Sequence, residues 1–255
     1  MRTGRRKLAW SAAVILAVVG IFVILRAVSL RASLLAQAHK VTLPPLAGPP
    51  DPRFPGTVVW LTPQRFIARF KDDTGLYDLS AATVIPMDDY VRALPFAQAQ
   101  RFEERYTALA QAQQNDESLA FDCYFAQSGV RALPDPAMAS LLHHLPSGAR
   151  VKALSHSRDG KRLAWLLWRH TQPAWETYLH RVVPFYKPHR QDTLTLCVSA
   201  PNGSGLYEIG ALWVTGDPGS RAQKVLSANY SLTWLPDNRH LSFSDEATLY
   251  TVSVD

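Results

Sequence analysis

The chain has 255 residues, 47% of them hydrophobic, and its 27 basic and 21 acidic residues leave a net charge of +6. Six of those basic residues (Arg2, Arg5, Arg6, Lys7, Arg26 and Arg31) precede position 32, and no acidic residue occurs before position 33, so the rest of the chain has 27 − 6 = 21 basic against 21 acidic residues and is neutral. The basic balance therefore belongs to one end, and no nucleic-acid footprint remains.

The first element in chain order is Leu8–Leu25, LAWSAAVILAVVGIFVIL, which has 18 residues without a charge or a proline. As a helix it covers about 27 Å, close to the hydrocarbon thickness of a bilayer. This reading gives a cytoplasmic tail over 1–7, a transmembrane helix over 8–27 and the lipid bilayer as its partner. A cleavable signal peptide ending near Ala36-Gln37-Ala38 and a buried core helix are the alternatives; the first has an unusually distant cleavage site and the second no nearby core. The flanking positive charge favours a cytoplasmic N-terminus. The expected location is a bacterial inner membrane, crossed once, with the C-terminal domain in the periplasm.

A helical extension and a proline-rich linker are expected over 28–56. Val41–Pro55 holds six prolines in 15 residues, a semi-rigid spacer. Short strands follow in TVVWL, RFIARF and GLYDL, with turns at Thr62-Pro63-Gln64 and Asp72–Gly75. Residues 86–148 read as a mixed insertion. Phe96, Phe102, Tyr106, Leu109 and Ala110 fall near a helical period, Ser118–Gln127 alternates like a strand, and Asp135-Pro136 opens a second helix. From Val151 onward the chain is again strand-like: Arg162–Trp168, Thr193–Ser199, Leu206–Val214, Leu232–Leu235, His240–Ser244 and Thr248–Val254. Pro201–Gly205 is a turn, and His170–Gln191 a long polar and aromatic loop.

The chain repeats itself. SHSRDGKRLAW aligns with TWLPDNRHLSF at an offset of 78, matching Asp159 to Asp237, Leu163 to Leu241 and Trp165 to Phe243. At an offset of 173, Phe70, Leu76 and Tyr77 match Phe243, Leu249 and Tyr250; Trp60 matches Trp234 with one extra turn residue. These units resemble the TolB-like propeller repeat, related to WD-type blades, most closely in LTWLPDNRHLSF…LYTVSVD. The resemblance implies blades of four antiparallel strands around an axis. Three units are found, so the expected fold is mainly β: an N-terminal transmembrane helix, then a partial or degenerate propeller-like domain over 57–255 with a helical insertion.

No catalytic set emerges. Ser204 lacks the G-x-S-x-G spacing, no HExxH or phosphate loop occurs, and Asp72, Asp73, Asp245 and Glu246 sit in expected hairpin turns. No metal ligand set and no cofactor are assigned. Cys123 and Cys197 can pair in an oxidising compartment or remain two buried thiols; their spacing excludes a CxxC motif or a zinc knuckle. Trp168, Trp175, Tyr178 and Tyr186 are candidates for a binding face. The expected function is a membrane-anchored protein-binding or scaffold domain with an envelope protein as partner. The alternative is a hydrolase or ligand sensor with its site near 170–191, around His170, His180 and His189.

Overall fold

A computed structural model describes residues 37–41, 58–70, 73–129, 136–171, 181–182, 191–215, 231–245 and 248–255. Twelve strands and three helices lie among them. The strands form three antiparallel four-stranded sheets. Sheet I is built from β2 (Val58–Thr62), β3 (Arg65–Phe70), β4 (Asp73–Asp78) and β5 (Thr83–Pro86), in that order. Sheet II is β6 (Ala149–His156), β7 (Leu163–Thr171), β8 (Gln191–Ser199) and β9 (Tyr207–Thr215), also in chain order. Sheet III joins distant parts of the chain. Its order is β1 (His39–Lys40), β12 (Thr248–Ser253), β11 (His240–Asp245) and β10 (Leu232–Trp234).

Strand β7 explains how the layers stack. Leu163, Trp165 and Leu167 share a core with helix residues Ala120, Cys123 and Met138. The alternate residues Ala164, Leu166 and Trp168 face Leu232, Trp234, Leu241 and Phe243 of sheet III. A strand covered on both faces must be apolar along the covered run, and Leu163–Trp168 (LAWLLW) is. Sheet III in turn presents Leu235 and Leu249 to Val58, Trp60, Phe66 and Tyr77 of sheet I. The layers therefore run helices, sheet II, sheet III, sheet I. Indole N–H groups join them: Trp234 Nε1 donates to the Ser155 carbonyl at 2.9 Å, and Trp60 Nε1 to Ser242 Oγ at 2.7 Å.

The 78-residue repeat corresponds to one hairpin geometry used twice. Ser157 N–H bonds to Arg162 O, as Leu235 N–H does to His240 O; Gly160 N–H bonds to Ser157 O, as Asn238 N–H does to Leu235 O. Asp159 and Asp237 each accept from the backbone N–H two residues on. Gly160 (φ +66°) and Asn238 (φ +54°) take the same left-handed turn position, which glycine and asparagine tolerate best.

Several expectations are corrected. The three sheets stay separate, and none closes into a barrel or propeller. One side of sheet II shares a core with the helix residues Ala120, Cys123 and Met138, and its other side packs on sheet III. Ser118–Gln127 is helix, not strand: Ala120, Cys123 and Gln127 turn inward at helical spacing, which the alternating aromatics disguise. His39–Lys40, expected in a helical extension, pairs with Thr251 and Tyr250 as strand β1. The 173-residue match holds for Tyr77 and Tyr250, but the stacked partner of Tyr77 is Phe66, not Phe70: Phe66 lies on Tyr77 with centroids 4.8 Å apart, and Phe243 on Tyr250 at 5.4 Å. Among the described residues no helix is long and apolar enough to cross a membrane, so a single-pass inner-membrane protein finds no support in the structure. Segment 8–27 itself, like linker residues 42–57, lies outside the described residues.

Candidate functional site

The insertion supplies the helices α1 (Met87–Ala93), α2 (Phe96–Gln127) and α3 (Pro136–His143). Helix α2 is the longest of the described elements. Its Ala, Gln, Glu and Arg residues are strong helix formers, and 32 residues reach about 48 Å. It stops where Gly129 adopts φ +71° and its N–H bonds to Ala126 O, while Ser128 N–H and Oγ both bond to Tyr124 O.

The inward face of α2 is a seam at alternating three- and four-residue steps: Ala99, Phe102, Tyr106, Leu109, Gln113, Asp116, Ala120, Cys123 and Gln127. None of these is exposed. Tyr90 of α1 packs edge-on against Phe102 at 5.0 Å. Phe96, expected on the same face, is 85% exposed because it lies one turn ahead of the seam and off its line.

Two polar members of the seam seal the free edge of β6. Gln127 Nε2 donates to Ala149 O at 3.0 Å, and its Oε1 accepts Val151 N–H at 2.9 Å. Asp116 Oδ2 accepts His156 N–H at 2.8 Å, and its Oδ1 lies 2.6 Å from His156 Nδ1. The hydrogen bond to Asp116 raises the His156 pKa above its ordinary value, against the opposing effect of burial. The edge of β2 is closed in the same manner. Arg105 of α2 donates to Leu61 O at 3.3 Å, and the Arg158 guanidinium donates to Trp60 O. Arg158 also links the repeated turns, its N–H bonding to Asn238 Oδ1 at 2.9 Å.

Beside the seam, α2 carries the exposed Phe121 and the half-buried Tyr124 and Phe125. Phe121 is 56% exposed and its ring lies 4.4 Å from that of Phe125. Tyr124 packs edge-on against Phe125 at 5.7 Å, and the Lys152 ammonium sits 4.7 Å over the Tyr124 ring.

Of the residues singled out by sequence, Trp168 is buried in the core between sheets II and III, with Arg150 stacked 5.5 Å from its ring centroid. Trp175, Tyr178 and Tyr186 lie outside the described residues, as do His180 and His189; His170 is on β7. Cys123 and Cys197 are both free, buried thiols in one core cluster, so the disulfide left open by the sequence is not formed. Burial pushes the Cys123 thiol up to about 11, with Asp122 adding to it, and the Cys197 thiol up to about 12. Both are therefore protonated and poor nucleophiles at neutral pH. Among the described residues no group of three or more His, Cys, Asp or Glu side chains is placed to hold a metal ion.

Sequence reasoning missed Asp116 and Gln127. Their signal is the alternating step that continues from Phe102 through Ala120 and Cys123, which carries α2 through the stretch that alternates like a strand. The chain matches no protein-family model, no curated protein and no solved structure.

Proposed function

We propose that this chain is a protein-binding module without a catalytic role of its own. A stack of sheets holds α2 along its seam, and the outward aromatic pair Phe121 and Phe125 inserts into an apolar groove on another protein. The observation that supports this reading is the 56% exposure of Phe121 beside Phe125, on a helix whose opposite face is already committed to the body. Exposed, rigidly mounted aromatic rings anchor interfaces, because they bury large apolar area at small entropic cost.

The test is site-specific photocrosslinking in the native host, with the probe at position 121 and a control probe at position 96. The expected result is one stoichiometric protein adduct from position 121. Once the partner is isolated, the double variant Phe121→Ala/Phe125→Ala weakens its binding at least about 30-fold, corresponding to about 2 kcal/mol. No adduct from position 121, or an affinity untouched by the double variant, overturns the reading.

A further inference from the structure

A cavity of about 190 Å³ opens on the helix-covered side of sheet II, beyond Pro146 at the end of α3. Its floor is one face of three neighbouring strands. Register places Leu167 beside Thr195, and Cys197 between Trp165 and Glu208. Arg169, two residues beyond Leu167, extends the same face. The walls are apolar at Pro146, Leu167 and Leu206, and polar at Arg169, Thr195 and Glu208.

The polar groups are arranged along the strands by charge. Arg169 lies four residues beyond Trp165, and Glu208 is at the level of Trp165 and Cys197, so their strand positions are about 13 Å apart. The two charges act on the Cys197 thiol in opposite senses because their signs are opposite. Arg169 Nε is buried and has no hydrogen-bond partner among the described residues. A buried charged donor without an acceptor is costly, and a guanidinium edge is shaped for a carboxylate. The Cys197 thiol stays protonated, so it forms a neutral, polarisable wall.

We propose that this cavity binds a small organic zwitterion, its carboxylate on Arg169 and its cationic end on Glu208. The volume holds about six waters at the ~30 Å³ each occupies in the liquid, which sets the ligand at a comparable number of heavy atoms. The apolar walls suit a short methylene chain between the two charges. This site is separate from the aromatic pair on α2 and stands independently of the partner proposed for it.

Isothermal titration calorimetry on the full chain at neutral pH tests the assignment with three probes: 4-aminobutyrate, butyrate and butylamine. The zwitterion is expected to bind at least tenfold more tightly than butyrate, and butylamine not to bind detectably. Arg169→Gln abolishes 4-aminobutyrate binding, and Arg169→Lys, which keeps the charge but loses the planar fork, weakens it at least tenfold. Glu208→Gln lowers the zwitterion to the affinity of butyrate. Circular dichroism checks that the Arg169 variants fold; the exposed Glu208 variant keeps the test open if they do not. No binding of 4-aminobutyrate, equal binding of butyrate by the unaltered chain, or an affinity unmoved by Glu208→Gln overturns the proposal.

Discussion

The side-chain amide of Gln127 pairs with Val151 as a neighbouring strand would, accepting its N–H at 2.9 Å while donating to Ala149 O at 3.0 Å. Strand β6 is an outermost strand of sheet II, and an open edge invites pairing with other chains. Truncation in Gln127→Ala leaves both backbone groups without their partner. A loss of about 1–3 kcal/mol in urea unfolding is expected. Light scattering should also show faster self-association of the variant, whereas truncation of the exposed Gln111 changes neither.

The Asp116–His156 pair makes stability depend on pH. The folded-state pKa of His156 is raised, chiefly by its hydrogen bond to Asp116. The pair's contribution is therefore fully present below the unfolded histidine value of about 6.5 and is lost as pH rises through the folded value. Unfolding at pH 5.5 and 8.5 should show a larger stability difference in the unaltered chain than in Asp116→Asn. An NMR titration should place His156 above an ordinary histidine and return it toward the ordinary value in that variant.

Gly203 combines a left-handed backbone with close neighbours. Its φ is +84°, and an added Cβ would lie 3.2 Å from Leu141 O and 3.3 Å from His144 Cδ2 at the end of α3. Gly160 has φ +66° with nothing within 4 Å. Both alanine variants incur the left-handed penalty of about 1–2 kcal/mol, and only Gly203→Ala adds a contact that must be relieved. Thermal unfolding should rank Gly203→Ala clearly below Gly160→Ala.

The two thiols give a test of the packing between α2 and sheet II. With pKa values pushed up to about 11 and about 12 and no exposed surface to speak of, Cys123 and Cys197 should resist a disulfide reagent at pH 8 for hours in the folded chain. Both should react within minutes in denaturant. A rapidly reacting Cys123 under native conditions would show that α2 detaches from β6 and β7.

Strand positions after Val151 were legible because each is a short apolar run between turn residues, and β7, β8, β9, β11 and β12 fall where those runs do. Two misreadings share a cause. In Ser118–Gln127 the polar seam residue Gln127 and the outward Phe121 and Phe125 give the stretch a period of two on paper, while Ala120 and Cys123 carry the helical contacts. In the first repeat unit, Phe70 matched Phe243 in sequence, yet stacking selects Phe66, because the β3–β4 hairpin is longer than β11–β12 and pairs its aromatics farther from the turn.

The amino-acid sequence by itself determined the local pieces: the twin turns around Asp159 and Asp237, the doubly buried run of β7, and the helix-forming composition of the insertion. These depend on residues within a few positions of one another, where turn chemistry and periodicity act. Only the tertiary structure decided that sheet III, assembled from β1 and β10–β12, lies between sheets I and II, and that Asp116 and Gln127 close the edge of β6. Those choices follow from burying whole faces and pairing backbone groups across 20 to more than 200 residues of chain, and no local pattern records which distant surface will cover which.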